Sequence, residues 1–357
     1  MKKANVATTL CASTAVVNAA EKNDMNAFSL LVKPCGADCN LACEYCFYRG
    51  HAPGRMSPEV LERIMETYSA LPFEGKSVAF QGGEPTLAGL DFFRRVQGYP
   101  VDKSLQTNAT LVTDEWAEFL AAGHWLVGAS VDGPPEVHNR FRGAYAATEA
   151  GIRRMERAGV DYNLLTVVSK SNVAEPVRVY RYLRDNFSTR FHQYIECTGP
   201  RHEINAAEWG SFLCGLFDEW AKADSRTLSV RLFDSIVAQM VVGHATQCSF
   251  GASCRQYLVV EHDGSVYPCD FHVREDLRLG NIMEDSWEKI VSSVAYKRFA
   301  ARKLENLPKE CRSCAHYRWC HGDCPRNRNA GRPVLCAGWK RFFDRAIPVL
   351  EGIVRSL

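Results

Sequence analysis

The sequence predicts an α/β protein: six β/α units forming a partial, TIM-like barrel, followed by a small cysteine-rich domain. Three observations carry this expectation. From residue 28 to about 245, apolar strand-like runs alternate with segments of helical period, as in a parallel sheet with right-handed crossovers. The alternation stops after six units, which suits an open (β/α)6 barrel better than a closed barrel of eight. Beyond residue 245 the chain becomes rich in Cys, Gly and short polar segments.

The units follow one another in order. Residues 28–33 (Phe-Ser-Leu-Leu-Val-Lys) read as a buried strand. Ser57, Pro58 and Glu59 supply an N-cap, a first-turn proline and a first-turn acid for a helix whose apolar face is Val60, Leu61, Ile64 and Met65. Residues 77–81 form the next strand and residues near 88–97 the next helix. Further strands are expected at 105–108, 125–131, 162–168 and 191–195, with helical segments at 113–122, 145–158 and 173–185. Helical stretches near 206–222 and 230–242 close this part. Residues 257–262 and 265–267, separated by Asp263-Gly264, read as a tight hairpin. Four segments follow: a leader at 1–27, the barrel at 28–245, the cysteine-rich domain at 246–345 and the end of a C-terminal helix at 346–357. In such a barrel, functional loops cluster at the C-terminal ends of the strands.

Of 357 residues, 46% are hydrophobic and 24% charged, the profile of a globular protein with ample core. A net charge of only +2 gives no global case for nucleic acid or a membrane surface as partner. No apolar run approaches the roughly 20 residues of a membrane helix. Lys2 and Lys3 precede a stretch rich in Ala, Thr and Val, but Thr8, Thr9, Cys11, Ser13, Thr14 and Asn18 break up any apolar core of a signal peptide. A disordered leader and a cytoplasmic protein are expected. The fifteen cysteines fit that location. None lies between Cys46 and Cys197, and most fall into two clusters, a distribution that favours metal sites over a disulfide scaffold.

The first cluster lies in the loop after the first strand, where Cys39, Cys43 and Cys46 are spaced C-x3-C-x2-C. Three thiolates on one loop can hold three irons of a [4Fe–4S] cube and leave the fourth open to a chelating ligand. Cys35 gives a poorer spacing and reads as a bystander. With an aromatic, Tyr45, just before the last cysteine, this loop resembles the signature of the radical S-adenosylmethionine (SAM) superfamily. That resemblance implies that the amino and carboxylate groups of SAM chelate the open iron. Electron transfer would then release methionine and a 5′-deoxyadenosyl radical. Gln81-Gly82-Gly83-Glu84-Pro85 resembles the segment of that family which grips the SAM amino group. Ser130, Arg142 and Thr198 match its further SAM-contact positions. The resemblance thus marks Tyr45, Gly83, Ser130, Arg142 and Thr198 as cofactor-binding. Individually, each is more often structural than functional; it is their order as a set that carries the resemblance.

The second cluster holds eight cysteines: Cys248, Cys254 and Cys269, then Cys311, Cys314, Cys320, Cys324 and Cys336. Eight thiols make two complete four-ligand sites, and spacing alone leaves zinc and iron–sulfur open. Their order is similar to the SPASM extension of radical SAM enzymes that modify peptides and proteins. The similarity implies one auxiliary cluster on Cys248, Cys254, Cys269 and Cys324 and a second on Cys311, Cys314, Cys320 and Cys336, hence three [4Fe–4S] clusters in all.

Several segments resemble one branch, the anaerobic sulfatase-maturating enzymes. They include Cys46-Phe47-Tyr48, residues 80–89 and 104–108, Asp132-Gly133-Pro134 and residues 263–271. Ala109 departs from the usual Gly before Thr110 and touches no proposed catalytic group. The resemblance implies oxidation of a Cys or Ser side chain of a sulfatase to Cα-formylglycine. Asp270 would be the base and Gln81 would orient the substrate. The peptide would be an unfolded or nascent chain bearing Cys/Ser-x-Pro-x-Arg, and a flavodoxin or ferredoxin would supply low-potential electrons. Without the resemblance, Asp270 reads as a surface aspartate after a hairpin. Two other readings remain. One is a SPASM maturase that crosslinks a precursor peptide, for which the roughly 27 residues before the first strand are too few to fold as a leader-binding domain. The other is a zinc or iron–sulfur scaffold without catalysis.

Overall fold

Leu30 and Val32 are fully buried in the first strand, β1 (Ser29–Val32), each contributing about 1.5–3 kcal/mol of apolar burial. This computed structural model describes residues 27–199, 201–305 and 307–356. The expected leader, apart from Ala27, lies outside them. From β1 the parallel ladder runs in sequence order through β2 (Ser77–Phe80), β3 (Asp102–Thr107), β4 (Leu126–Ser130), β5 (Tyr162–Val168), β6 (Phe191–Glu196) and a short β7 (Ser229–Val230).

The connecting helices follow the sequence closely. In α1 (Pro58–Ser69) the Ser57 side chain accepts from the Val60 N–H, and Val60, Leu61, Ile64, Met65 and Tyr68 are buried. The helix expected near 88–97 contracts to α2 (Leu90–Arg94), because Gly89 at φ +82° separates it from a 3-10 turn over Pro85–Ala88. Thr113 caps α3 (Asp114–Ala122). One helix is unanticipated: α4 (Pro135–Phe141), whose paired Pro134-Pro135 reads as a loop although Pro135 suits a first helical turn. Next come α5 (Tyr145–Ala158) and α6 (Pro176–Asn186), the latter starting at its proline rather than at residue 173. Then α7 (Ala206–Ala223) opens with a capping box between Asn205 and Glu208, and α8 (Arg231–Val242) follows.

The cysteine-rich part is built into the same sheet. β8 (Tyr257–Val260) pairs parallel with β1, and β9 (Ser265–Tyr267) and β10 (Gly280–Asn281) add antiparallel strands beyond it. The hairpin between β8 and β9 turns at Gly264, φ +83°. A division near residue 245 is therefore a change of composition, and the hydrogen-bonded sheet runs straight across it. The C-terminal helix also begins earlier than the division at 345/346 implied: α13 in chain order is Cys336–Arg355, after α9 (Trp287–Ser292), α10 (Val294–Ala301), α11 (Lys309–Arg312) and α12 (Tyr317–Cys320). It crosses α7 at a pair of glycines. A Cβ on Gly210 would stand 2.8 Å from the Gly338 Cα, so only two glycines allow this approach. The crossing fixes Cys336, two residues away, against the barrel.

Candidate active site and cluster-binding centres

The loop from residue 33 to 56 leaves β1 and folds back on itself, with the Ala37 N–H on the Ala52 carbonyl at 3.0 Å. It docks on the segment after β2. Gly83 N–H donates to the Gly36 carbonyl at 2.8 Å and Glu84 N–H to the Asp38 carbonyl at 2.7 Å. A Cβ on Gly83 would overlap the Asp38 carbonyl oxygen, so this glycine is required by the cysteine loop itself. Glu84 is buried, and burial pushes its carboxyl above the usual range. It accepts four hydrogen bonds in compensation: from the Thr86 N–H and hydroxyl, the Thr107 hydroxyl and the Asn108 N–H, at 2.7–3.1 Å. Asn108 in turn donates to Asn40 Oδ1 at 2.9 Å and lies 3.9 Å from Cys39 Sγ. A continuous polar chain thus ties the end of β3 to the first cysteine of the loop.

Cys39 and Cys46 are exposed and Cys43 is half-buried. The three thiols interact electrostatically with one another, and the Arg142 guanidinium offsets the effect of burial on Cys43. Cys35 stands apart: it is buried, its Sγ donates to the Pro85 carbonyl at 3.8 Å, and burial pushes its thiol up to about 11.

Asp132, after β4, is a buried hub. It accepts from the Tyr45 hydroxyl, from Arg142 Nε at 3.1 Å and Nη2 at 3.4 Å, and from the Val167 N–H at 3.0 Å. The Arg142 guanidinium also lies 5.5 Å from the Tyr45 ring centroid. Two side chains expected to face a cofactor are therefore engaged through Asp132. Thr198, just past β6, donates to Asn327 Oδ1 at 2.7 Å, and Asn327 donates to Glu196 at 3.1 Å, which joins the barrel to the cysteine-rich part. Ser130, at the end of β4, and Gln81, after β2, make no side-chain hydrogen bond among the described residues. Both stand at the C-terminal edge of the sheet.

The other eight cysteines fall into two groups. Cys254, Cys269 and Cys324 each interact electrostatically with Cys248. Cys311, Cys314, Cys320 and Cys336 line one cavity together with His316, Arg332 and Lys340. Among the described residues no three His, Cys, Asp or Glu side chains converge on a single-ion site. Four thiols lining one shared cavity are a complete donor set for a [4Fe–4S] cube. The first group has a further feature that suits a negatively charged cluster. Lys303 is 1% exposed, and among the described residues its ammonium donates to the carbonyls of Cys248 and Ser249, at 3.1 and 2.7 Å. Its charge lowers the pKa of Cys248, Cys254 and Cys324 against the effect of burial.

Asp270 sits in a 3-10 turn directly after Cys269 and is only 9% exposed, not on the surface. Its Oδ1 accepts from Lys33 Nζ, and its Oδ2 takes no hydrogen bond among the described residues.

Residues 34–183 match the model of the Radical SAM superfamily, and residues 248–315 that of an iron–sulfur cluster-binding domain, SPASM. The chain is 32% identical to the cysteine-type anaerobic sulfatase-maturating enzyme of Clostridium perfringens, over 93% of this chain and 100% of that one. This chain belongs to the anaerobic sulfatase-maturating enzymes. It is also 30% identical to the serine-type enzyme of Bacteroides thetaiotaomicron, over 92% and 91% of the two chains. The solved structure of native anSMEcpe with bound AdoMet and Cp18Cys peptide matches at a TM-score of 0.87 and 33% identity, covering 92% of this chain and 99% of that one.

As a sulfatase-maturating enzyme the chain is an oxidoreductase of the radical SAM type, with SAM and three [4Fe–4S] clusters as its cofactors. No helix among the described residues is long and apolar enough to cross a membrane. Residue patterns did not single out Lys33, Glu84, Asn108, Asp132 or Lys303 as functional. Glu84, Asn108 and Asp132 lie inside motifs that were quoted, so position alone could have flagged them. Lys33 and Lys303 carry no local signal, since a lone lysine at the end of a strand or helix reads as solvated.

Proposed function

We propose that this sulfatase-maturating enzyme oxidises the side chain of a Cys or Ser in an unfolded sulfatase chain, within Cys/Ser-x-Pro-x-Arg, to Cα-formylglycine. Cys39, Cys43 and Cys46 hold the cluster that binds SAM, and Tyr45, Gly83, Ser130, Arg142 and Thr198 form the SAM site. Cys248, Cys254, Cys269 and Cys324 hold one auxiliary cluster, and Cys311, Cys314, Cys320 and Cys336 the other. The barrel, 28–245, supplies the radical site and the cysteine-rich domain, 246–345, the electron route. With the cofactors bound, SAM would supply a 5′-deoxyadenosyl radical for removal of a substrate β-hydrogen, and the clusters on the eight cysteines past residue 245 would supply an acceptor for the remaining electron.

The residues of the chain do the rest. Gln81, whose amide has no partner among the described residues, orients the target side chain. Asp270 takes the thiol or hydroxyl proton on Oδ2, the oxygen that Lys33 does not hold. A cysteine thereby loses one hydrogen atom, one proton and one electron to become a thioaldehyde, which water converts to the aldehyde with release of hydrogen sulfide. A serine gives the aldehyde directly. The observation that carries this reading is Asp270: a buried carboxylate whose Oδ2 takes no hydrogen bond among the described residues, adjacent in sequence to a cluster cysteine, so that proton and electron leave in neighbouring directions. A flavodoxin or ferredoxin provides the low-potential electron. The family match does not favour a crosslinking maturase.

The test is anaerobic. Enzyme reconstituted with iron and sulfide is given SAM, a reductant and paired peptides that differ only in Cys or Ser at the target position. Both 5′-deoxyadenosine and an aldehyde-bearing peptide, trapped as a hydrazone and read by mass, are expected from at least one of the pair. Deoxyadenosine with neither peptide converted would contradict the substrate assignment.

A further inference from the structure

Lys33 is the last residue before the cysteine loop, and it is 1% exposed. A buried ammonium is strongly disfavoured unless it is paired. Its surroundings hold it on several sides. The backbone N–H of Lys33 donates to the Val260 carbonyl at 2.9 Å, anchoring it to β8. Gly82, at φ +129°, makes room for its stem: a Cβ there would stand 3.0 Å from Lys33 Cδ. Its ammonium lies 4.4 Å from the centroid of the Tyr48 ring. Tyr48 is fixed in turn, with its hydroxyl donating to both Glu261 oxygens at 2.6 and 2.7 Å and its ring stacked on His51 at 4.6 Å. The carboxylate that the ammonium meets is Asp270.

We propose that Lys33 is a positioning residue for formylglycine formation: it pins Oδ1 of Asp270 and leaves Oδ2 as the oxygen that receives the substrate proton. This rests on the reading of Asp270 as the base. Lys33 directly follows β1 and opens the radical-site loop, while Asp270 belongs to the cysteine-rich part, 237 residues away. The pair therefore registers the base against the place where hydrogen is removed. A neutral side chain at 33 leaves the carboxylate free to turn, so radical formation and deprotonation fall out of step.

The test compares Lys33→Met, Lys33→Arg, Asp270→Asn and the Lys33→Met/Asp270→Asn double variant, all reconstituted and given the target peptide. Three quantities are read: iron per chain, 5′-deoxyadenosine, and formylglycine per deoxyadenosine. Lys33→Met is expected to lower that last ratio by about tenfold or more at full iron content, as loss of a transition-state interaction does. Lys33→Arg should recover part of it. The double variant should fall no lower than Asp270→Asn alone, since residues acting through one another are not additive. If Lys33→Met does not hold its iron, Lys33→Gln, too short to reach Oδ1, should show the same fall. A ratio equal to wild type in a neutral variant, with Asp270→Asn inactive, would overturn the role of Lys33 and leave the base standing. A fully active Asp270→Asn would instead overturn the base. A double variant well below Asp270→Asn would show that Lys33 acts elsewhere.

Discussion

Asp270→Asn is expected to lower formylglycine formed per SAM cleaved by about 10²–10⁴-fold, the range typical of a lost general base. The substitution keeps the volume and one oxygen of the side chain, so Lys33 retains a partner and the turn after Cys269 retains its shape. What it removes is the capacity to accept a proton. Cysteine and serine substrates should not suffer equally, because a thiol gives up its proton far more readily than an aliphatic hydroxyl. The serine peptide should lose more. The measurement is the aldehyde-to-deoxyadenosine ratio for both peptides over a range of pH. A ratio unchanged for both would return Asp270 to a purely structural pairing with Lys33.

Replacing Cys39, Cys43 or Cys46 by Ala is expected to abolish SAM cleavage and remove about one third of the bound iron, since one cube of three is lost. The polypeptide should otherwise persist. The loop is docked by backbone bonds from Gly83 and Glu84, and Glu84 and Asn108 are satisfied without any cysteine ligand bond. Iron and sulfide analysis and the secondary-structure signal check this together. Loss of all iron, or of folded structure, would mean that the radical-site cluster holds the barrel together.

The apolar alternation placed β1 to β6 within a few residues, and the start of β3 was missed by three residues because Asp102, Lys103 and Ser104 are polar and not buried. Three features had no such signature. The parallel pairing of β8 with β1 joins segments more than two hundred residues apart, which no local period encodes. The helix α4 hides behind two prolines, and the Lys33–Asp270 pair becomes visible only once β8 lies beside β1. The cysteine sets show the same division. C-x3-C-x2-C is readable as a site because its ligands are local. The association of Cys324 with Cys248, across the run from Cys311 to Cys320, came only from resemblance, because no local spacing encodes it; the charge of Cys248 acts on the Cys324 thiol, which suits that grouping. The residues that the resemblance assigned to SAM lay in between. Ser130 ends β4 and Gly83 lies in the loop just after β2, but the commitment of Tyr45 and Arg142 to a shared aspartate depends on a tertiary contact between two loops.

The central claim is that hydrogen removal from the target side chain and proton transfer to Asp270 belong to one reaction in one mouth of the barrel. The most direct measurement uses a target peptide deuterated at the β-carbon of its Cys, given anaerobically to the reconstituted enzyme with SAM and reductant. Deuterium should appear in 5′-deoxyadenosine in step with the aldehyde-bearing peptide, and in Asp270→Asn both should fall together relative to total deoxyadenosine. Formation of the aldehyde with no deuterium in deoxyadenosine would contradict the account, since the hydrogen would then have left by a route that this site does not provide.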